Sequence, residues 1–184
     1  MQRIAFLEPA DMSAEQRRVF DAAMADPDAP RGGPYPVYLR LPKLYEAMQR
    51  LRAVLAGGPL STRERQIVNL AVARHWNAAY PWFAQVRRSR AVGIADTAID
   101  AINACQTPVL PDARERTCFA VASELLATKG LSDAIYAEAE KIMGTDDLVA
   151  LIAATGNFSM TCLSALAFQI APPADDPAPL RKEQ

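Results

Sequence analysis

The residues able to do chemistry crowd into Ser61 to Gly93, which reads STRERQIVNLAVARHWNAAYPWFAQVRRSRAVG. Glu64, Arg74, His75, Tyr80, Trp82 and Gln85 stand there, followed by Arg87, Arg88 and Arg90. Glutamate and histidine can move protons, tyrosine and glutamine can hydrogen-bond an oxygen, and arginine can hold an anion. Glu64 and His75, the only histidine in the chain, are therefore the candidate catalytic groups. Tyr80, Trp82, Gln85 and Arg74 are candidates for binding a substrate. Plainer roles compete with each of these. Glu64 can cap a helix, the tryptophans can simply pack, and the arginines can form a solvated or subunit-facing helix surface with one of them reaching an anionic ligand.

Two helices must position these groups. Ser61-Thr62-Arg63-Glu64 fits a capping box, in which Glu64 reaches back to the Ser61 amide. Ile67, Val68, Leu70, Ala71, Val72 and Trp76 then give the first helix a broad apolar face. Its end is predicted near Asn77, because a residue before proline is pushed out of helical geometry and Tyr80 precedes Pro81. Pro81 suits the first turn of a second helix, closed by Gly93. The amides around Trp82 and Phe83 would then lack helical partners and could hold a carboxylate.

The run RERQIVNLAVARHWNAAYPW, the helix ending at Gly93 and the segment Ile94 to Ile102 resemble the carboxymuconolactone decarboxylase and alkylhydroperoxidase-D-like (AhpD-like) superfamily. The resemblance covers most of the chain, including GGPYPVYLRLP and the apolar last helix. It implies an all-α bundle assembled as a homo-oligomer, a trimer or hexamer. Decarboxylase-like members read R-E, then A-R-x-W, then Y-E-W-x-x-H. The peroxidase branch carries C-x-x-C in the same turn, with a histidine shortly after. On that pattern Glu64 takes the place of the family glutamate, and Arg74, Trp76, Tyr80 and Trp82 match the aromatic framework. Pro81 stands where the second glutamate belongs, and Gln85 where the histidine belongs. The cysteine positions hold Ala78 and Pro81.

Those departures have chemical consequences. With no sulfur in the turn there is neither a thiolate to attack a peroxide nor a thiol to resolve it. Gln85 can bind a carboxylate or carbonyl but cannot usefully exchange a proton. The resemblance thus implies a cofactor-free lyase acting on a small apolar or aromatic-derived carboxylic acid or lactone, with Glu64 as its acid–base group. The alternative is a non-catalytic oligomeric binding protein that keeps the fold without the family histidine; thiol peroxidase activity is disfavoured.

The rest of the chain bounds these readings. Its 184 residues suit one domain, 51% are hydrophobic and the net charge is −1, which speaks against a nucleic-acid partner. No apolar run reads as the roughly 18–20 residues of a membrane span, nor does the start read as a secretory signal, so a soluble cytoplasmic protein with a small-molecule substrate is expected. Cys105, Cys118 and Cys162 are an odd, scattered set, read as small buried hydrophobes. No His/Cys cluster has metal-ligand spacing and no phosphate loop precedes a helix, so neither metal nor cofactor is expected.

About eight helices are predicted, in an all-α domain spanning 1–171 with a proline-rich tail, 172–184. The first follows a capping box at Ser13 and Gln16. Asp26 to Pro42, rich in proline, is predicted to hold no helix and reads as a surface connection, with a ligand-facing or intersubunit segment as the alternative. Pro42 opens a helix ending at Gly57-Gly58. Asp96, Asp112, Ser132 and Thr145 are read as caps of later helices, with Asp112 and Glu115 as a second box. The helix from Leu148 to about Ile170 is apolar nearly all round, with Asn157 among its few polar residues, and is expected to be buried in the core or between subunits.

Overall fold

Side-chain caps set the helix starts. Ser13 accepts the Gln16 amide while Gln16 returns to the Ser13 amide, opening α1 (Ala14–Ala25). Ser61 and Glu64 do the same for α4 (Thr62–His75), and Asp112 and Ser132 cap α7 (Ala113–Thr128) and α8 (Asp133–Met143). The remaining helices are α2 (Tyr35–Tyr38), α3 (Pro42–Ala56), α5 (Ala79–Ala91), α6 (Asp96–Asn103) and α9 (Thr145–Ala167). This computed structural model describes residues 2–27 and 29–181, and among them there is no strand. The chain is all-α, with nine α-helices and a 3-10 turn at Pro9–Asp11 among the described residues.

α4 is the axis. Its Ile67, Val68, Leu70 and Val72 are fully buried, and it packs against α5, α7 and α9. Each such side chain contributes about 1.5–3 kcal/mol on leaving water, so α4 is the part of the site least free to move. α9 buries Leu148, Leu151, Thr155, Phe158, Cys162 and Ala165 at alternating spacings of three and four. Its opposite face leaves Val149, Ile152, Met160, Leu163 and Leu166 exposed. Contrary to the reading of the apolar runs, α9 has the length and mean apolarity of a membrane span, with 44% of its most apolar window buried against the protein. Its core-facing stripe is the physical reason for that apolar length.

Several expectations need correction. The proline-rich connection does contain a helix, α2, because Pro36 lies in its first turn, where a missing N–H costs nothing. Asp96 is the first residue of α6, after the cap Ala95, and pairs with Arg90 at 2.7 Å. Thr145 likewise follows the cap Gly144. Glu115 does not complete a box with Asp112; its carboxylate goes to Arg63 at 2.6 Å. Cys105 is exposed, whereas Cys118 and Cys162 are buried.

The tail folds back onto the bundle. Trp82 Nε1 donates to the Ala178 carbonyl at 3.1 Å, and Asn103 donates to the Pro179 carbonyl at 3.1 Å while accepting the Arg181 amide at 2.9 Å. Ala178 and Leu180 pack on the core. Residues 182–184 of the expected tail lie outside the described residues.

Candidate functional site

Glu64 is 4% exposed and both its oxygens are engaged. One accepts the Ser61 amide at 2.6 Å and the other accepts Arg114 Nε at 2.7 Å. Arg114 also donates to Asp147 at 2.8 Å, so the glutamate clasps the starts of α4, α7 and α9 together. Hydrogen bonds to Glu64 and then Asp147 hold the Arg114 guanidinium above its ordinary pKa, keeping the clasp charged. Each Glu64 oxygen thus serves a structural partner, one a cap and the other a salt bridge, in a carboxylate that also lines a separate cavity of about 480 Å³ with Asp112, Arg114 and Asp147.

The other predicted residues scatter. His75, the last residue of α4, is exposed and stands edge-on to Trp76, ring centroids 5.2 Å apart. Arg74 is buried and donates to Asn77 Oδ1. Trp82 has no exposed surface and its one donor serves the tail, so it is a core residue with no face for a substrate. Nor are the amides around it open, since Trp82 N–H donates to the Ala78 carbonyl at 2.9 Å. The break between the helices comes earlier than Tyr80-Pro81. Asn77, at φ 51°, ends α4, with its amide on the Arg74 carbonyl and the Ala78 amide on the Ala73 carbonyl. That is a Schellman closure with asparagine in the left-handed position. Pro81 therefore sits in the third position of α5, still within the turn that needs no N–H.

Tyr80 and Gln85 do come together. They line a compartment of about 90 Å³ with Pro81, Arg88 and Phe158, roofed by the Gly32-Gly33 segment lying on the Tyr80 ring. Gln85 is 3% exposed and accepts a hydrogen bond from Asn69 Nδ2 at 3.3 Å. Asn69 in turn lines a larger cavity of about 610 Å³, which shares Tyr35, Arg88 and Phe158 with the first. Gln66, Arg52, Arg65 and Asn157 complete its polar lining, with Asp26 as a carboxylate there. Gln66 is 8% exposed, and its Oε1 is buried without a hydrogen-bond partner.

A buried amide oxygen without a partner is costly, and the residue that carries it also lines the roomy polar cavity. The residues that the sequence reading passed over are thus Gln66, Asn69 and Arg52. Their signal was available: Gln66 and Asn69 are polar side chains, three apart and so on one helix face, each directly before an apolar residue, Ile67 and Leu70. Among the described residues no group of three or more His, Cys, Asp or Glu is placed to hold a metal ion. Of the buried thiols, Cys118 is pushed up to about 12 by burial and then by the nearby Glu64 charge, and burial raises Cys162 further. Neither lines the two compartments around Gln85 and Gln66.

No family model matches the chain, and no curated protein matches it. Solved structures do. An uncharacterized peroxidase-related protein with an alkylhydroperoxidase AhpD core, from Ralstonia eutropha JMP134, superposes with a TM-score of 0.73 at 18% identity, covering 95% of this chain and 93% of that one. Another uncharacterized peroxidase-related protein, from Silicibacter sp. TM1040, gives 0.75 at 19% identity over 98% and 96%. A protein of unknown function from Agrobacterium tumefaciens, named for AhpD-type antioxidant defence, gives 0.67 at 17% identity over 78% and 100%. The fold is therefore the AhpD-like one.

Proposed function

We propose that this protein is a carboxymuconolactone decarboxylase-like, cofactor-free binder of a small organic acid or lactone, and that the compartments around Gln66, Asn69 and Gln85 are its binding site. One observation carries the reading: Gln66 lines the larger cavity and its carboxamide is incompletely paired, with a buried Oε1 that has no partner. A carboxamide oxygen and nitrogen can exchange places, so the waiting group serves a hydroxyl, a carboxyl or a carbonyl equally well. The cavity, about 610 Å³, is of the size that encloses a small ligand. Self-association through the exposed stripe of α9 belongs to the same reading.

Catalysis is the second reading, a lyase on such an acid. Asp26 and Tyr35 favour it, because they bring a carboxylate and a phenol to the larger cavity although Glu64 and His75 are elsewhere. One experiment addresses both. Saturable binding of short aromatic acids and lactones, read by calorimetry, should weaken about 3- to 10-fold in Gln66→Leu, the loss of one hydrogen bond. Unchanged affinity in a folded Gln66→Leu protein would show that the ligand sits elsewhere. Consumption of a bound acid, followed by NMR, would establish the lyase, and its absence across the bound set would leave a binding protein.

A further inference from the structure

We infer that the ligand of this site is an amphipathic organic anion, with Arg88 holding its carboxylate and its apolar body lying against Phe158 and Tyr35. The inference rests on the binding reading above and adds the charge and the orientation of what binds.

Three guanidinium groups line the larger cavity and only one carboxylate, Asp26, does so among the described residues. The described lining residues therefore carry surplus positive charge, which favours an anion. The three arginines are not equivalent. Arg65 donates to the Leu60 carbonyl and to Thr62 Oγ1, so both arms of its fork are engaged at the start of α4. Arg52 donates through Nε to Gln49 at 3.2 Å. Among the described residues the Arg88 guanidinium makes no hydrogen bond or ion pair, and its whole fork can meet a carboxylate.

Its place is as specific as its freedom. Arg88 stands three residues after Gln85 on α5, hence on the same face, and lines both compartments. Tyr35 and Phe158 line both as well, and Leu55 and Ala154 extend the apolar wall of the larger one. A carboxylate at Arg88 would thus leave an aryl or branched-alkyl body between those rings, with Gln66 free to bond a second polar group. A neutral ligand would leave the surplus charge unanswered.

Cinnamate and its neutral counterpart cinnamamide test this, with binding measured by calorimetry on the full-length protein at low and physiological salt. We expect cinnamate to bind at least about tenfold tighter than the amide, with a preference that shrinks as salt rises. Arg88→Gln should abolish that preference while keeping amide affinity within about twofold. Arg87→Gln, changing an exposed neighbour outside both compartments, should leave it intact. Equal affinity for acid and amide, or a preference that survives Arg88→Gln, overturns the anion anchor and leaves the binding reading standing. Failure of both compounds, and of the wider acid and lactone panel, to bind the unaltered protein overturns the two together.

Discussion

Glu64 and Gln66 stand two positions apart on α4 and do opposite work. The charged residue, the natural choice for catalysis, has a structural partner on each oxygen, while the uncharged one keeps a buried oxygen without any. Burial decides this. A carboxylate that is 4% exposed must be paired, and Arg114 and the Ser61 amide give each oxygen a partner. The substitutions should separate its two structural contributions. Glu64→Gln keeps the cap, since glutamine serves in a capping box, but removes the charge facing Arg114. Because Arg114 is one-third exposed, the cost should be only about 1–2 kcal/mol. Glu64→Ala loses the cap as well and should cost about 1 kcal/mol more. Urea unfolding monitored by circular dichroism measures both. If Glu64→Gln unfolded like the unaltered protein but abolished conversion of a bound acid, the catalytic assignment would have to be restored. The sequence made the cap legible because its partners lie within four residues. It could not show Arg114, fifty positions away, and so left the carboxylate looking available.

At the scale of elements, the connection before α3 shows how a loop becomes part of a site. Gly32 and Gly33 lie against Tyr80 so closely that a Cβ at Gly32 would overlap the Tyr80 hydroxyl, and one at Gly33 the ring. Gly33 also has φ +66°, where side chains are strained, so its substitution mixes two effects. Gly32 isolates the contact. Gly32→Ala should destabilise the protein by about 1–3 kcal/mol through overpacking. Most of that should vanish in Tyr80→Phe, which removes the overlapping oxygen and leaves the ring carbon at 3.5 Å, an ordinary contact. A double-mutant cycle with thermal unfolding reads the coupling, and additive effects would mean that the roof does not rest on Tyr80. Proline and glycine argued against any helix in this segment, and α2 overturns that. They could not announce α2, four residues in which the Val37 amide returns to the Pro34 carbonyl and the Val37 carbonyl accepts from Leu39 and Arg40 just beyond, a single turn and not a full helical ladder. The end of α4 was placed correctly near Asn77, and only the start of α5, expected at Pro81 and found at Ala79, was put too late. The Tyr80-Pro81 bias away from helix lost to the Schellman closure at Asn77, and a proline in the third position leaves no hydrogen bond unmade.

At the scale of the molecule, the apolar character of α9 was plain in the sequence, but which face it served was not, because a helix apolar on both sides carries no orientation signal. The fold resolves it into a core stripe and an outer stripe. The outer one, Val149, Ile152, Met160 and Leu163 with Gly156 between, repeats at spacings of three and four, the pattern by which a helix seats against another helix. A shallow depression on this face, lined by Gly156, Ser159, Met160 and Leu163, would let a facing side chain sink in. Under the self-association proposal the facing helix is α9 of a second copy, and that makes a prediction with two parts. Leu163→Glu, which places a charge on an exposed stripe position, should shift the protein from oligomer to monomer in light scattering after size exclusion. The same substitution should leave monomer stability within about 0.5 kcal/mol, as surface changes ordinarily do. Arg87→Glu, on the exposed side of α5, serves as the charge control and should leave the assembly intact. A Leu163→Glu protein that kept the mass of the parent would remove α9 as the interface, and a parent that ran as a monomer at micromolar concentration would remove the proposal itself. Because Phe158 and Ala154 on the inner stripe wall the ligand cavity, a second copy clamped on the outer stripe would also brace that wall. Loss of the assembly should therefore weaken acid binding by a few-fold even though residue 163 touches neither compartment.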